Sequence, residues 1–411
     1  MTPRYEAPSR AIAGTDADLL DQLRYADGRP YGFYKNALGA WDYGDFTLAI
    51  DHVQADLFAP PTALRAYATP QAMGLPEEAL ASPDARLAAA DFLARAFDEA
   101  IRARGARDVS IARAGALILQ RSYATVLPDR VEVRFQVKLP ARGRTILGKS
   151  AARLFDVDVP NVVMDCFDFV SHDPDTTRKR SRLLAHIASY EDHRALQEQL
   201  EANGWVTFVA DDSLLARRSG VSEAPLTGDG VVAFRSPDSL RASVSLPHAG
   251  DVSGMAIPRG LTLIVGGGYH GKSTLLEAIA RGVYAHVPGD GRELVATDPS
   301  ATKVRAADGR AVTGVDISAF ISHLPGSIDT TNFSTENASG STSQAASIIE
   351  SLQLGARSLL IDEDTSATNL LIRDTRMRDL VAADKEPITP LVDRVSSLTG
   401  AGTSLIMVVG G

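Results

Sequence analysis

The stretch GGGYHGKST, which begins at Gly266, constrains the fold of this chain more than any other part of it. It fits the pattern G-x-x-x-x-G-K-[ST] from Gly266 to Ser273. The apolar run GLTLIV precedes it, and TLLEAIARGV follows with helical spacing. A glycine-rich turn between a strand and a helix lets backbone N–H groups surround phosphate oxygens, and the start of the helix adds partial positive charge. The sequence therefore predicts an α/β domain that binds a nucleotide.

Every residue of this turn is a candidate contact for the nucleotide, with Lys272 also expected to assist catalysis through its charge. For His270 two interpretations stay open, a contact with phosphate or a ring that the turn merely accommodates. The predicted nucleotide-binding residues of the turn are Gly266, Gly267, Gly268, Tyr269, His270, Gly271, Lys272, Ser273 and Thr274.

A second segment, SLLIDEDTSATN, supplies the acidic half of such a site. Its aliphatic residues predict a strand that ends at Asp362 and Glu363. Asp362 is expected to hold Mg²⁺ together with the Ser273 hydroxyl. Glu363 is expected to orient and deprotonate the attacking water. A nucleotide that is held for structural reasons without hydrolysis remains an alternative.

The segment between these two motifs resembles the signature loop of ABC-type ATPases, which has the form LSGGQ. ASGST at 338–342 occupies the signature position, and DEDTSATN is similar to the family's DEPTSALD. The resemblance implies an ABC-type P-loop domain in which Ser339 and Gly340 contact the γ-phosphate of ATP bound to a second protomer. It thus implies a head-to-tail homodimer around ATP and Mg²⁺.

The chain also departs from the general ABC pattern. Ser341 and Thr342 replace the last two residues of the signature, and Gly410 stands where ABC proteins carry a switch histidine. The segments GGGYHGKSTLL, IDEDTSATN with IRD after it, VVGG, DHVQADLFAPP and LPARGR resemble one bacterial family in particular, described as predicted ATPases of the ABC class. That resemblance implies an ATPase with its own N-terminal domain.

The remaining sequence predicts an α+β domain before the ATPase domain. We expect a flexible tail over 1–15, an N-terminal domain over 16–225 and the ABC-type domain over 226–411. The chain stops at the end of a predicted strand, and a truncated C-terminus is one interpretation of this. Ser82 and Pro83 predict the start of a long helix, and seven aromatic residues from 31 to 58 are expected mainly in a core.

Composition points to a cytoplasmic protein without a membrane partner. The chain has one cysteine, its first residues lack the apolar core of a signal peptide, and no apolar run is long enough to span a bilayer.

The charge is unevenly distributed along the chain. The net charge is −9, yet the segment 101–150 contains eleven lysines and arginines and only three aspartates and glutamates. Such a segment favours an anionic partner, and RNA or another single-stranded nucleic acid is the expected one, with a solvated surface or a polypeptide partner as alternatives. The candidate contacts, partly on the alternating strand RVEVRFQVKLP, are Arg130, Arg134, Lys138, Arg142, Arg144 and Lys149.

Overall fold

The computed structural model of the chain describes residues 12–56, 59–324, 326, 328–373 and 386–410. It divides into two compact units, Met1–Glu191 and Asp192–Gly411. This division falls earlier than the expected boundary after 225, because the strand Trp205–Ala210 pairs with strands of the second unit. Residues 12–15 form a strand rather than part of a tail, and the expected tail over 1–11 lies outside the described residues.

The first unit contains a mainly antiparallel sheet with the strand order β1-β2-β3-β4-β7-β5, and β6 also pairs with β7. Its strands are β1 Ile12–Thr15, β2 Gly39–Asp42, β3 Thr47–His52, β4 Thr62–Ala68, β5 Val109–Ser110, β6 Ala124–Val126 and β7 Val131–Val137. A short hairpin follows, made of β8 Ala141–Arg142 and β9 Thr145–Ile146. The helices are α1 Asp16–Tyr25, α2 Pro70–Met73, α3 Pro83–Arg104, α4 Gly148–Arg153, α5 Val159–Phe167 and α6 Pro174–Asn203, which extends into the second unit.

Helix α3 begins and ends as its sequence predicts. The Ser82 side chain accepts a hydrogen bond from the backbone N–H of Ala85 at 2.9 Å, and Pro83 occupies the first turn. Gly105 follows the helix with a φ of 64°, which favours glycine. The Phe97 ring lies 4.8 Å from that of Phe135 on β7, so the helix covers one face of the sheet.

The predicted core of this unit is partly confirmed. The apolar residues of β7 alternate into the core, and Tyr31, Tyr34, Trp41 and Phe46 are buried, while Phe58 lies outside the described residues. On the opposite face of β7, Glu132 is buried, Arg134 is half-buried and Gln136 is exposed.

The second unit combines two sheets. An antiparallel sheet has the order β13-β14-β10-β16, and a parallel sheet has the order β15-β21-β20-β17. The strands are β10 Trp205–Ala210, β11 Arg217–Ser219, β12 Ser222–Pro225, β13 Arg241–Leu246, β14 Gly250–Pro258, β15 Leu261–Gly266, β16 Val295–Thr297, β17 Thr302–Val304, β18 Val312–Val315, β19 Phe333–Thr335, β20 Ser358–Asp362 and β21 Ser404–Gly410. The helices are α7 Lys272–Arg281, α8 Gly340–Gln353, α9 Thr368–Leu371 and α10 Leu391–Gly400.

The parallel sheet has helices on both faces, which is the arrangement expected of an α/β domain. On one face, Leu360 and Ile406 pack with Leu276 and Ile279 of α7. On the other face, the intervening residues of β20 and β21 pack with α8. Throughout the described ranges, every helix is too short or too polar to cross a membrane.

Candidate nucleotide site

The glycine-rich turn joins β15 to α7 as the sequence predicts. Gly271 precedes the helix with a φ of 83°, and no side chain caps the first turn of α7. The N–H groups of that turn are therefore open to an anionic ligand. Tyr269 also has a positive φ, at 61°, and its side chain is fully exposed. The His270 ring packs on Gly267, where an added Cβ would lie 3.2 Å from Cε1 of the ring.

Lys272 folds back over this turn. Its Nζ donates hydrogen bonds to the carbonyl oxygens of Gly266 and Gly267, at 2.6 and 2.8 Å. Ser273 and Thr274 are exposed in the first turn of α7. The turn thus presents one ammonium group and two hydroxyl groups beside the start of a helix.

The parallel sheet brings the acidic residues to the same edge as the turn. Strands β15 and β20 flank β21, with Gly266 paired to Gly410 and Asp362 paired to Val408. Because all three strands run in the same direction, they end at one edge, which we call the carboxyl edge. Ligands of open α/β sheets bind outside this edge.

Asp362 and Glu363 are held differently at the carboxyl edge. Asp362 is buried, and its Oδ1 accepts a hydrogen bond from the N–H of Asp364 at 3.3 Å. The Glu363 carboxylate accepts a hydrogen bond from the backbone N–H of Gly410, the residue at the expected position of a switch histidine. A backbone N–H group, that of Gly410, therefore lies beside Glu363 at the position where a histidine side chain was expected from the general ABC pattern.

The residues at this edge suit Mg²⁺. Carboxylate and hydroxyl oxygens are hard ligands, and Mg²⁺ is commonly bound by one or two carboxylates together with substrate phosphates. Asp362 and Ser273 supply such oxygens. No cluster of three or more histidine, cysteine, aspartate or glutamate side chains that could form an all-protein cage occurs among the described residues.

The signature segment forms the start of α8. Ser339 is exposed and caps this helix, its Oγ accepting from the N–H of Thr342 at 3.4 Å. Gly340 lies next to Asp308, whose Oδ1 would be 3.1 Å from an added Cβ. At the N-terminus of α8, Ser339 is thus exposed, Gly340 and Ser341 are half-buried, and the N–H of Thr342 is already bonded.

Gln344 connects this helix to the segment after Glu363, a role that was not predicted from the sequence. Its Nε2 donates to Ser366 Oγ at 3.0 Å, and its Oε1 accepts from the N–H of Ala367 at 2.7 Å. The side chain is fully buried. The available signal was a lone glutamine on the apolar side of a helix. The similarity of DEDTSATN to the family's DEPTSALD did not indicate that this segment would bond to Gln344. Asp374, part of the quoted IRD motif, lies outside the described residues.

The candidate nucleic-acid residues fall into two groups. Arg130 and Arg134 both form ion pairs with the buried Glu132, and the guanidinium of Arg130 also lies 4.2 Å from the centre of the Tyr67 ring. Both guanidinium groups are thus engaged within the first unit, where they share the single carboxylate of Glu132 with Arg65. The second group is exposed to solvent and consists of Lys138, Arg142, Arg144 and Lys149.

Comparison with known proteins agrees with this architecture. The family model ABC_ATPase, described as a P-loop domain, matches residues 179–411, and the model described as the N-terminal part of an ATPase of the ABC class matches residues 16–169. The chain belongs to the ABC class of ATPases. Membership supports nucleotide binding and ATPase activity, and it confirms the predicted order of an N-terminal domain and a P-loop domain.

One curated relative of this ABC-class ATPase is the uncharacterized protein MJ1628 of Methanocaldococcus jannaschii. It is 32% identical over 197 residues, which make up 46% of this chain and 44% of the relative. The match thus spans less than half the length of that relative.

Proposed function

We propose that this chain is a Mg²⁺-dependent ATP hydrolase that works as a head-to-tail homodimer. One observation carries the proposal: the glycine-rich turn, Asp362 and Glu363 all lie at the carboxyl edge of one parallel sheet. A nucleotide there would have its phosphates beside the start of α7, with an acidic side chain available for the metal and another for water.

The glycine-rich turn would provide most of the contacts with ATP before hydrolysis begins. Lys272 would exchange the carbonyl oxygens of Gly266 and Gly267 for phosphate oxygens, which are stronger acceptors for an ammonium group. Ser273 and Asp362 would hold Mg²⁺. When bound, the ion neutralises charge on the β- and γ-phosphates.

Glu363 is the proposed general base. It would take a proton from a water molecule as the water oxygen forms a bond to the γ-phosphorus. The bond from phosphorus to the β–γ bridging oxygen breaks, and its electrons leave with ADP. The N–H of Gly410 keeps the carboxylate in place, so that its orientation does not depend on solvent.

The second protomer would contribute Ser339 and Gly340. The start of α8, where Ser339 is exposed and Gly340 half-buried, offers backbone N–H groups and partial positive charge, which suit a γ-phosphate held by the other chain. Binding of ATP would then join two chains, and hydrolysis would let them separate.

We further propose that the first unit grips RNA or another single-stranded nucleic acid. The exposed basic hairpin β8–β9 is hydrogen-bonded to the segment around Arg29: the N–H of Tyr31 donates to the Arg144 carbonyl at 2.9 Å, and the N–H of Ile146 to that of Arg29 at 2.9 Å. The Arg29 guanidinium lies 4.0 Å from the Tyr25 ring centre and 4.6 Å from that of Phe33. Exposed cations beside an aromatic ring surface suit phosphates and stacked bases.

The alternative is a remodelling or regulatory ATPase whose first unit binds a polypeptide. The ion pairs of Arg130 and Arg134 with Glu132 favour this alternative, since they engage two of the expected phosphate contacts within the first unit. Affinity would then depend little on salt.

The deciding experiment measures phosphate release by the wild type, Glu363→Gln and Lys272→Ala, with and without RNA and DNA oligonucleotides at two salt concentrations. We expect release by the wild type alone, which oligonucleotides stimulate at low salt. The double variant Arg142→Glu/Arg144→Glu should lose the stimulation, while Arg113→Glu, an exposed arginine of the same positive segment, should keep it.

The proposed ATP hydrolysis and the proposed binding of nucleic acid can be refuted separately. Phosphate release by the wild type no faster than by Lys272→Ala would refute the hydrolase. A hydrolysis rate indifferent to every oligonucleotide would leave the hydrolase standing and favour a polypeptide partner.

A further inference from the structure

Arg305 directly follows strand β17 at the carboxyl edge of the parallel sheet. Strand β17 pairs with β20 in parallel, with Lys303 opposite Leu360 and Val304 opposite Ile361. Arg305 is the next residue, so this register places it level with Asp362. It belongs to none of the sequence motifs quoted above.

Two contacts establish which face of the sheet Arg305 occupies. Lys303 Nζ lies 2.9 Å from Glu277 Oε2 on α7, and Leu360 packs with apolar residues of the same helix. Val304 belongs instead to the core on the opposite face. Alternate residues of a strand share a face, and this alternation, continued to the first residue after β17, puts Arg305 on the side of α7 together with Asp362.

The position along the sheet follows from the same contact. From Lys303 to Arg305 the chain advances roughly 7 Å towards the carboxyl edge. Helix α7 starts at that edge, and its axis rises about 6 Å between Ser273 and Glu277. Arg305 and Ser273 are thus each nearer the carboxyl edge than the Lys303–Glu277 ion pair, on the side where the phosphates of a nucleotide would lie.

The backbone after Arg305 is fixed to both neighbouring motifs. The N–H of Ala306 donates to the Thr365 carbonyl at 2.9 Å, and the N–H of Ala307 to Ser343 Oγ on α8 at 3.0 Å. Two other basic residues of this region form ion pairs, Lys303 with Glu277 and Arg310 with Glu350. The Arg305 side chain is instead exposed to solvent.

We propose that Arg305 is a catalytic residue whose guanidinium binds the γ-phosphate of ATP. This role rests on the ATP site of the proposed function. Arg305 adds a second side-chain cation to that site, opposite Lys272 across the edge of the sheet. Arginine matches phosphate oxygens with two parallel N–H donors. It would stabilise the charge on the γ-phosphoryl group while the bond to the bridging oxygen breaks.

The test compares Arg305→Ala and Arg305→Lys with Arg113→Ala, which removes an exposed arginine of the first unit. Dissociation constants of ATP and ADP with Mg²⁺ are measured by calorimetry in the Glu363→Gln background, and turnover is measured without that change. Arg305→Ala should weaken ATP binding about tenfold or more, leave ADP binding within about twofold, and lower turnover about 100-fold. Arg305→Lys should recover part of each loss, and Arg113→Ala should match the parent.

The selective loss of ATP over ADP distinguishes contact with the γ-phosphate from a structural role. Unchanged ATP affinity and turnover in Arg305→Ala would overturn the proposal and leave Arg305 as a solvated surface charge. Equal weakening of ATP and ADP would also overturn it. In both cases the wild type and Lys272→Ala still decide the hydrolase independently, whereas a wild type that binds no ATP would refute both proposals.

Discussion

The backbone N–H of Gly410 donates a hydrogen bond to the carboxylate of Glu363. These residues end β21 and begin the segment after β20, so the pairing of two parallel strands produces the contact. A Cβ added at Gly410 would lie 3.2 Å from Glu363 Oε2. Any side chain at 410 therefore has to displace the proposed base or be displaced by it.

Replacing Gly410 by alanine should slow hydrolysis while ATP still binds. The added methyl group pushes on Glu363, and a small misplacement of a catalytic group costs up to about 100-fold in rate. We expect a loss of about tenfold for Gly410→Ala and of at least about 100-fold for Glu363→Gln, measured as phosphate release at saturating ATP. Gly400→Ala is the matched control, since a Cβ there meets no atom within 4 Å. Equal rates for Gly410→Ala and the wild type would show that Glu363 is not constrained by this contact.

Removing the Lys272 ammonium should abolish stabilisation by ATP. A ligand that binds only the folded chain at 100 times its dissociation constant adds about 2.7 kcal/mol to the free energy of unfolding. The wild type should show this increase as a higher melting temperature with ATP and Mg²⁺, and Lys272→Ala should not. Lys35→Ala removes an exposed lysine of the first unit and should behave as the wild type. An undiminished shift in Lys272→Ala would place the nucleotide elsewhere.

Features set by neighbouring residues were predictable from the sequence. The Ser82–Pro83 start of α3, the alternation of β7 and the strand–turn–helix around Gly271 depend on local propensity and spacing. The same holds for Ser339 as the cap of α8, since a serine before a helical pattern accepts from the first turn.

Features set by distant contacts were not predictable. Glu132 reads as one residue of a polar strand face, yet it is buried because Arg65 on the neighbouring strand β4 lies 3.4 Å away, beside Arg130 and Arg134. The segment VVAFRS at 231–236 is rich in strand-forming residues, yet it is irregular. Its run of four apolar residues suits a strand, but strand formation also requires a partner strand.

Substitutions at Ser339 can distinguish its role as the cap of α8 from its proposed contact with the γ-phosphate bound to the partner chain. Aspartate caps a helix about as well as serine, whereas alanine loses about 1 kcal/mol. If Ser339 faces the γ-phosphate of the partner chain, the added negative charge of Ser339→Asp repels it. Ser339→Asp should therefore keep the melting temperature of the wild type and lose ATP-dependent dimerisation, measured by light scattering in the Glu363→Gln background. Dimerisation by Ser339→Asp as strong as by the parent would exclude a phosphate contact at this residue.

The buried His193 should make the second unit less stable as the pH falls below about 6.5. Burial is the main cause that lowers the pKa of His193 to about 4; nearby His286 and Arg194 lower it further, and the hydrogen bond to the Gly282 carbonyl opposes the shift. Between pH 6.5 and 4 the unfolded chain binds a proton that the folded chain does not. Stability is therefore complete above this window and declines by about 1.4 kcal/mol per pH unit within it, on the order of 3 kcal/mol in total.

The measurement is the free energy of unfolding of the second unit at several pH values. The unfolding transition of this unit is recognised as the one that ATP moves to higher temperature. The free energy of the wild type minus that of His193→Gln should fall by on the order of 3 kcal/mol between pH 7.5 and 4, because glutamine does not titrate. His248→Gln, at an exposed position of the same unit, should follow the wild type. Since α7 ends immediately before Gly282, the hydrogen bond from His193 supports the helix that begins at the nucleotide site. Parallel curves for the wild type and His193→Gln would mean that His193 gains its proton equally well in the folded chain.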